Sequence, residues 1–184
     1  QDGQSPELLA KDYVNEEAGV STVEDALAGA NDIIAEDLSD RADIRKALRE
    51  MIMRRGSLVC KAADTEAESV YTLYYDFNQP IPRLQNHQIL AINRGEKEEI
   101  LKVSISVPGN EGAALVCRAA LKPQRDISLF VRAAAEDSYE RLIFPSISRE
   151  IRNELTVRAS QGAIQNFALN LKPLLMQPPV KGFV

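Results

Sequence analysis

Residues 86–101 read Asn-His-Gln-Ile-Leu-Ala-Ile-Asn-Arg-Gly-Glu-Lys-Glu-Glu-Ile-Leu, and this stretch decides the fold expected for the chain. Its first half predicts a short helix over 87–93 that breaks at Gly95, because glycine weakens a helix. Residues 101–107 then alternate between apolar and polar side chains, the pattern of a half-buried strand. The predicted partner of that strand is the segment 57–61, which follows a glycine and is partly β-branched. A small two-stranded β element is therefore expected.

The residues before this stretch are helical in pattern. One apolar stripe is formed at helical spacing by Val23, Leu27, Ala30, Ile34 and Leu38. A capping box is predicted at Ser21 and Glu24, in which each side chain accepts a hydrogen bond from a free backbone N–H. Gly29 interrupts this helix at a cost of about 1 kcal/mol against alanine, so we expect another helix to approach closely there.

The next helix is predicted to start at Ser39 or Asp40 and to end at Gly56. The last third is again helical, with a kink or restart predicted at Pro145. Together these patterns predict a mainly α fold: a multi-helix module with a small two-stranded β element and a long C-terminal helical arm. The predicted domains are 1–125, the module, and 126–184, long helices and a linker leading to a further domain.

Length, composition and charge exclude several classes of protein. The 184 residues suffice for one ordinary core, and no apolar run approaches the length of a membrane span. The net charge of −5 argues against a protein whose main task is to cover nucleic-acid phosphates. Cys60 and Cys117 are far apart and predicted to be reduced, structural thiols. The chain begins without an initiator Met, so a piece of a longer polypeptide is expected.

Two clusters of side chains have alternative interpretations. Arg41, Arg45 and Arg49 recur at every fourth position and could contact phosphates, but pairing with the acidic helix before them is the favoured interpretation. The aromatic segment 70–77 could stack nucleic-acid bases. We favour a core role for it, because stacking platforms normally lie among basic residues and Asp76 is the nearest charge.

Candidate chemistry is sparse in this sequence. A single His excludes a multi-histidine metal site, and two isolated Cys residues cannot form a zinc finger. His87 beside Arg94 and Glu96 lacks a nucleophile or pocket with which to perform acid–base chemistry. We expect this His to close a hydrogen bond around the Arg-Gly-Glu turn. No catalytic residue, metal, cofactor or small-molecule substrate is predicted, and the chain is not expected to be an enzyme.

The stretch 86–101 resembles the His-Arg-x-Leu-Ala-x-x-Arg-Gly-Glu segment of the Tex family, the bacterial transcription accessory proteins. Two further stretches are similar to the same family. Residues 26–36 look like its Ala-Leu-x-Gly-Ala-x-Asp-Ile-Ile-Ala-Glu segment, and residues 137–155 look like the long helix that follows. The motif residues of this resemblance are Gly29, His87, Arg94, Gly95 and Glu96.

The resemblance implies a cytoplasmic, nucleic-acid-associated protein of several domains. This chain would be the part of the N-terminal helical region that ends just before a ribonuclease-H-like domain. Its expected function is a non-catalytic scaffold that positions downstream RNA- or DNA-binding domains. A weak basic surface is predicted to help, through Arg45, Arg49, Arg94, Lys97 and Lys102. The alternative is a docking module that contacts the transcription machinery through an exposed apolar helix face.

Two positions depart from the family pattern. Gln88 stands where the family usually has Arg, which weakens any role of that motif in contacting phosphate. Pro173 stands where a helix former is usual, so the last helix is expected to end early or kink.

Overall fold

A computed structural model describes residues 5–15, 19–64, 69–120 and 128–177. No described helix combines the length and the apolar character needed to cross a bilayer. The helices are α1 (Pro6–Ala10), α2 (Val23–Asp40), α3 (Ala42–Arg55), α4 (Asn86–Lys97), α5 (Glu111–Ala120), α6 (Ser128–Asp137) and α7 (Phe144–Leu175). The strands are β1 (Ser57–Ala62), β2 (Asp76–Pro80) and β3 (Leu101–Ser106).

The chain divides into two compact units. The first unit comprises Gln1–Ser57 and Ile105–Glu150, and the second comprises Leu58–Ser104 and Ile151–Val184. The predicted boundary between residues 125 and 126 lies outside the described residues, so that division stays a prediction.

The predicted fold class is confirmed: the chain is mainly helical, with a small antiparallel sheet and a long C-terminal helix. The sheet order is β2-β1-β3, so the predicted pairing of β1 with β3 is correct. Among the described residues the sheet has three strands rather than the two expected, because β2 pairs with the other edge of β1. Pro80 is tolerated at the end of this edge strand, where a missing N–H donor costs little.

The first unit is organised around α2, which lies against α6 and the π-helical segment Ser138–Ile143. Ser138 is fully buried, and its hydroxyl donates a 2.6 Å hydrogen bond to the carbonyl oxygen of Ala35. Both side chains are small, so the helices approach closely at this point. The core of this unit contains Leu38, Ile44, Leu48, Ile52, Ala113, Val116, Ala134, Ala135, Ile143 and Ile147.

The restart predicted at Pro145 takes the form of a π-helical segment directly before α7. The backbone N–H of Phe144 donates to the carbonyl of Tyr139, five residues back. Pro145 has no N–H with which to continue the α-helical ladder. A π turn accommodates the missing donor without ending the helix.

Two predicted helix starts are wrong in register. The capping box joins Thr22 and Asp25, one residue later than predicted: the Asp25 N–H donates to Thr22 Oγ1 at 3.1 Å and the Thr22 N–H to Asp25 Oδ2 at 3.0 Å. A Thr-x-x-Asp pair satisfies the same backbone groups as the Ser-x-x-Glu pair beside it. The N-cap of α3 is Arg41, which makes no side-chain cap bond, rather than Ser39 or Asp40.

The second unit corrects the predicted break at Gly95. Helix α4 runs through Gly95 to Lys97, and this glycine is buried. A Cβ atom added there would lie 2.7 Å from Leu101 Cδ1 and 3.2 Å from Tyr71 Cγ. Gly95 is therefore a packing residue, which lets β3 and the buried Tyr71 reach the helix backbone. The core role favoured for the aromatic segment holds for Tyr71, which is buried, whereas Tyr74, Tyr75 and Phe77 are only partly buried.

Two glycine-to-alanine variants should change stability in opposite directions. Gly95→Ala should lower the free energy of unfolding by about 1–3 kcal/mol, because its methyl group overpacks a buried contact. Gly29→Ala should raise it by up to about 1 kcal/mol, because that position is helical and nothing lies within 4 Å of the added atom. Urea denaturation of the chain and both variants measures the effect. Equal shifts for the two variants would contradict the packing role of Gly95.

Candidate functional site

The first unit carries an apolar groove between α1, the 3-10 turn Lys11–Tyr13 and α2, which we call the α1–α2 groove. It is open to solvent and has a volume of about 490 Å³. Its lining is almost entirely apolar and comprises Pro6, Leu9, Ala10, Tyr13, Val20, Asp25, Ala26, Leu27, Gly29, Ala30, Ile33, Ile34 and Phe130.

The groove exists because α1 is too short to cover α2. Ser5 caps α1, Pro6 occupies its first position, and the helix ends after five residues. Helix α2 has 18 residues. Its outer face carries a second apolar stripe, formed by Ala26, Gly29, Ala30 and Ile33 at helical spacing. Ile33 is 70% exposed, so the described residues leave this stripe partly uncovered.

Gly29 forms part of the groove rather than a helix crossing. It is exposed, and a Cβ atom added there would meet nothing within 4 Å. The close helix approach predicted for Gly29 is therefore absent among the described residues. That approach occurs instead at Ala35, about one and two-thirds turns further along α2 and on another face.

The helices that form the groove are strongly acidic. Residues 6–13 and 23–40 contain eight carboxylates and one base, Lys11. Asp25 lines the groove and caps α2, and Asp32 pairs with Arg141 at 2.6 Å. The remaining carboxylates give this part of the surface a negative potential.

Of the two predicted cations in the first unit, Arg45 is engaged within that unit. Arg45 pairs with Glu150 at 2.6 Å and donates to Ser146 Oγ at 3.0 Å. The favoured pairing with the acidic helix before it is wrong for the ion pair of Arg45, which is made with Glu150 of α7. Helix α2 supplies only the carbonyl oxygen of Ser39, to which Arg45 donates at 3.5 Å. Arg49 is partly buried.

The predicted cations of the second unit lie at its surface. Arg94 and Lys97 are exposed on α4, three residues apart, and His87 is exposed seven residues before Arg94, about two helical turns earlier on the same face. Lys102 is exposed on β3. The structure thus brings Arg94, Lys97 and His87 to one face of α4, whereas Arg45 and Arg49 belong to the other unit.

Glu96 has a structural role that the sequence did not reveal. Its carboxylate accepts a 2.5 Å hydrogen bond from Arg152 of α7, and Arg152 also donates to Asn93 Oδ1 at 3.0 Å. Asn93 in turn donates to Thr156 Oγ1 at 2.8 Å. These four residues form a polar cluster between α4 and α7, which we call the Arg152 cluster. Sequence spacing gives no signal for it, because its two halves are 56 residues apart.

Neither cysteine has the environment of a reactive thiol. Cys60 is buried near the Arg152 cluster, and burial raises its pKa to about 11. Cys117 is also buried, with its pKa raised by burial. The described part of the chain contains no group of three or more His, Cys, Asp or Glu side chains placed to hold a metal ion.

The last part of α7 is exposed on all sides. Asn86 of α4 lies against Gly162, and after this contact every residue from 163 to 177 is exposed. We call residues 163–176 the arm. Its apolar stripe contains Ile164, Phe167, Leu171, Leu174 and Leu175, and Phe167 is 66% exposed.

Comparison with known proteins gives a consistent result. Residues 1–167 match the model of the family described as Tex central region-like. The Bacillus subtilis protein YdcI is 43% identical over 177 residues, covering 94% of this chain and 25% of that protein. The transcriptional accessory protein Tex of Neisseria gonorrhoeae is 27% identical, covering 96% and 24%. Human S1 RNA-binding domain-containing protein 1 is 28% identical, covering 96% and 19%. The chain spans about a quarter or less of these relatives.

The Arg152 cluster should contribute measurably to stability. Arg152→Ala should lower the free energy of unfolding by about 2 kcal/mol, because it removes a charge-assisted hydrogen bond from a side chain only 19% exposed. Arg132→Ala is the matched control, since its pair with Glu136 on α6 is exposed and should contribute less than about 0.5 kcal/mol. Urea denaturation measures the free energy of unfolding of both variants. Equal losses of stability would contradict the larger contribution assigned to the Arg152 cluster.

Proposed function

This chain belongs to the Tex family, as a Tex central region-like domain, and from that membership we propose that it is a non-catalytic helical scaffold in a transcription accessory protein. In this role it holds the nucleic-acid-binding domains of the longer protein in position, within the bacterial cytoplasm. Relatives of similar sequence are about four to five times longer than the matched region, which leaves ample length for such domains.

The observation that carries the scaffold proposal is the exposed arm. Fully exposed apolar stripes on helices are unfavourable in water and mark surfaces that other protein elements cover. The arm exposes Ile164, Phe167, Leu174 and Leu175 by more than three-fifths each. A helix of this kind provides a long, regular surface for a neighbouring domain.

The apolar stripe of the arm lies on a different face of α7 from the face that is buried in the second unit. Leu155 is buried in the second unit, whereas Ile164 lies nine residues later, about two and a half helical turns. The two side chains therefore point to opposite sides of α7. Covering the arm requires additional protein on the side that faces away from Leu155.

Nucleic-acid binding by the longer protein is proposed from the relatives. The human relative is named for an S1 RNA-binding domain, and the gonococcal relative is named a transcriptional accessory protein. We assign the main RNA or DNA contacts to domains outside this chain, since its own net charge is −5. Arg94, Lys97 and Lys102 would add a weak basic surface.

Hydrogen exchange tests the scaffold. Residues 163–176 should exchange rapidly in the isolated chain and at least about tenfold more slowly in the full-length gene product, where a neighbouring domain covers them. Residues 44–52 of α3, which are already packed, serve as the internal control and should exchange alike in both. Fast exchange of the arm in the full-length protein would refute the scaffold role.

A salt titration tests the basic surface. The chain should bind fluorescent single-stranded RNA weakly at roughly 50 mM salt and much less at roughly 200 mM, because phosphate contacts release counterions. Arg94→Glu with Lys97→Glu should abolish this binding. Arg45→Gln is the matched control and should leave it unchanged, because Glu150 already engages Arg45. Absence of binding at the lower salt would place all nucleic-acid contacts in other domains.

The second candidate function is a protein-docking module, and the α1–α2 groove favours it. This groove is apolar, open and located in the first unit, whereas the arm belongs to the second. The two surfaces can therefore serve different partners.

A further inference from the structure

We propose that the α1–α2 groove docks one amphipathic helix of a partner protein, with bulky apolar side chains on the buried face of that helix and Lys or Arg along its flanks. The proposal rests on the shape of the groove, on Gly29 and on charge. It is independent of the scaffold role assigned to the arm.

The shape of the groove fits side chains of a docked helix. Small residues of α2 line it, Ala26, Gly29 and Ala30, together with the bulkier Leu9, Tyr13 and Ile33. Grooves of this type accept the apolar face of an amphipathic helix, whose anchors recur at every third or fourth position. The groove volume of about 490 Å³ accommodates several such anchors.

Gly29 supplies an independent indication. Glycine weakens a helix interior relative to alanine, and no described atom of this chain requires its missing Cβ. The space above Gly29 opens into the groove. A docked partner that approaches the α2 backbone at this point would need the space that the missing Cβ of Gly29 leaves. Nothing in the described part of the chain uses that space.

Charge determines the class of occupant. The groove helices carry eight carboxylates, of which Asp32 is paired with Arg141, against one base, Lys11. This excess of negative charge disfavours nucleic acid and favours a cationic partner. The apolar anchors of such a helix match the apolar lining of the groove, and its basic flanks match the acidic surface around the groove. The arm of a second copy is a poorer match, because residues 163–176 contain only one base, Lys172.

The test uses two synthetic helical peptides of about 18 residues, long enough for some five turns. One carries Leu anchors with Lys flanks, and the other replaces every Lys with Glu. Fluorescence anisotropy of the labelled peptides is measured with the chain and with two variants. Gly29→Leu fills the groove while adding apolar surface, and Ala28→Leu adds the same surface at a neighbouring exposed position outside the lining.

The expected result is tighter binding of the Lys peptide than of the Glu peptide by at least about tenfold, a clear difference in binding free energy. Gly29→Leu should weaken this binding by a similar factor, whereas Ala28→Leu should change it less than about twofold. Circular dichroism should show that both variants keep the helix content of the parent chain.

Three results would overturn the proposal. The first is equal binding of the two peptides, or no binding of either, which removes the charge argument. The second is equal binding to Gly29→Leu and the parent, which places the peptide elsewhere. The third is evidence that the groove is already occupied. Sedimentation would then show self-association of the chain that Gly29→Leu abolishes, or the full-length gene product would bind no Lys peptide. The occupant is then a second copy or an internal segment.

Discussion

The second unit depends on the charge of Arg152. Its guanidinium is largely buried and requires acceptors, because an unpaired buried charge is strongly destabilising. Asn93 and Glu96 supply them from one face of α4, three residues apart. Helix α4 must therefore continue through Gly95 so that both acceptors keep helical spacing. The same glycine lets Leu101 and Tyr71 approach the helix, so one short segment serves both the polar cluster and the apolar core.

Local sequence patterns predicted the elements well and their exact contacts poorly. The apolar stripe on α2 and the alternation of β3 both follow from side-chain periodicity, which a few neighbouring residues are enough to show. The capping box shifted by one residue because Thr22 with Asp25 offers the same chemistry as Ser21 with Glu24. The pairing of Arg45 with Glu150 lies beyond local reasoning, since 105 residues separate the two.

The α1–α2 groove was not predicted, because a groove depends on how neighbouring helices pack and has no periodic pattern in the sequence. A signal was nevertheless present: Ala26, Gly29, Ala30 and Ile33 form a second apolar stripe beside the one identified on α2. The two stripes share Ala30 and form one wide apolar face, which needs correspondingly wide cover. The sequence of residues 23–40 indicated that this cover is needed. Only the structure showed that α1 ends too early to provide it.

The groove and the arm are exposed for different physical reasons, and this difference bears on what covers them. The arm is a convex helix whose apolar stripe points away from the face used by Leu155, so a cover must supply a concave or flat surface of its own. The groove is already concave and acidic, so its cover must be convex and basic. One rigid helix cannot satisfy both demands at once. The chemistry of the two surfaces therefore argues for separate occupants, a domain on the arm and a single helix in the groove.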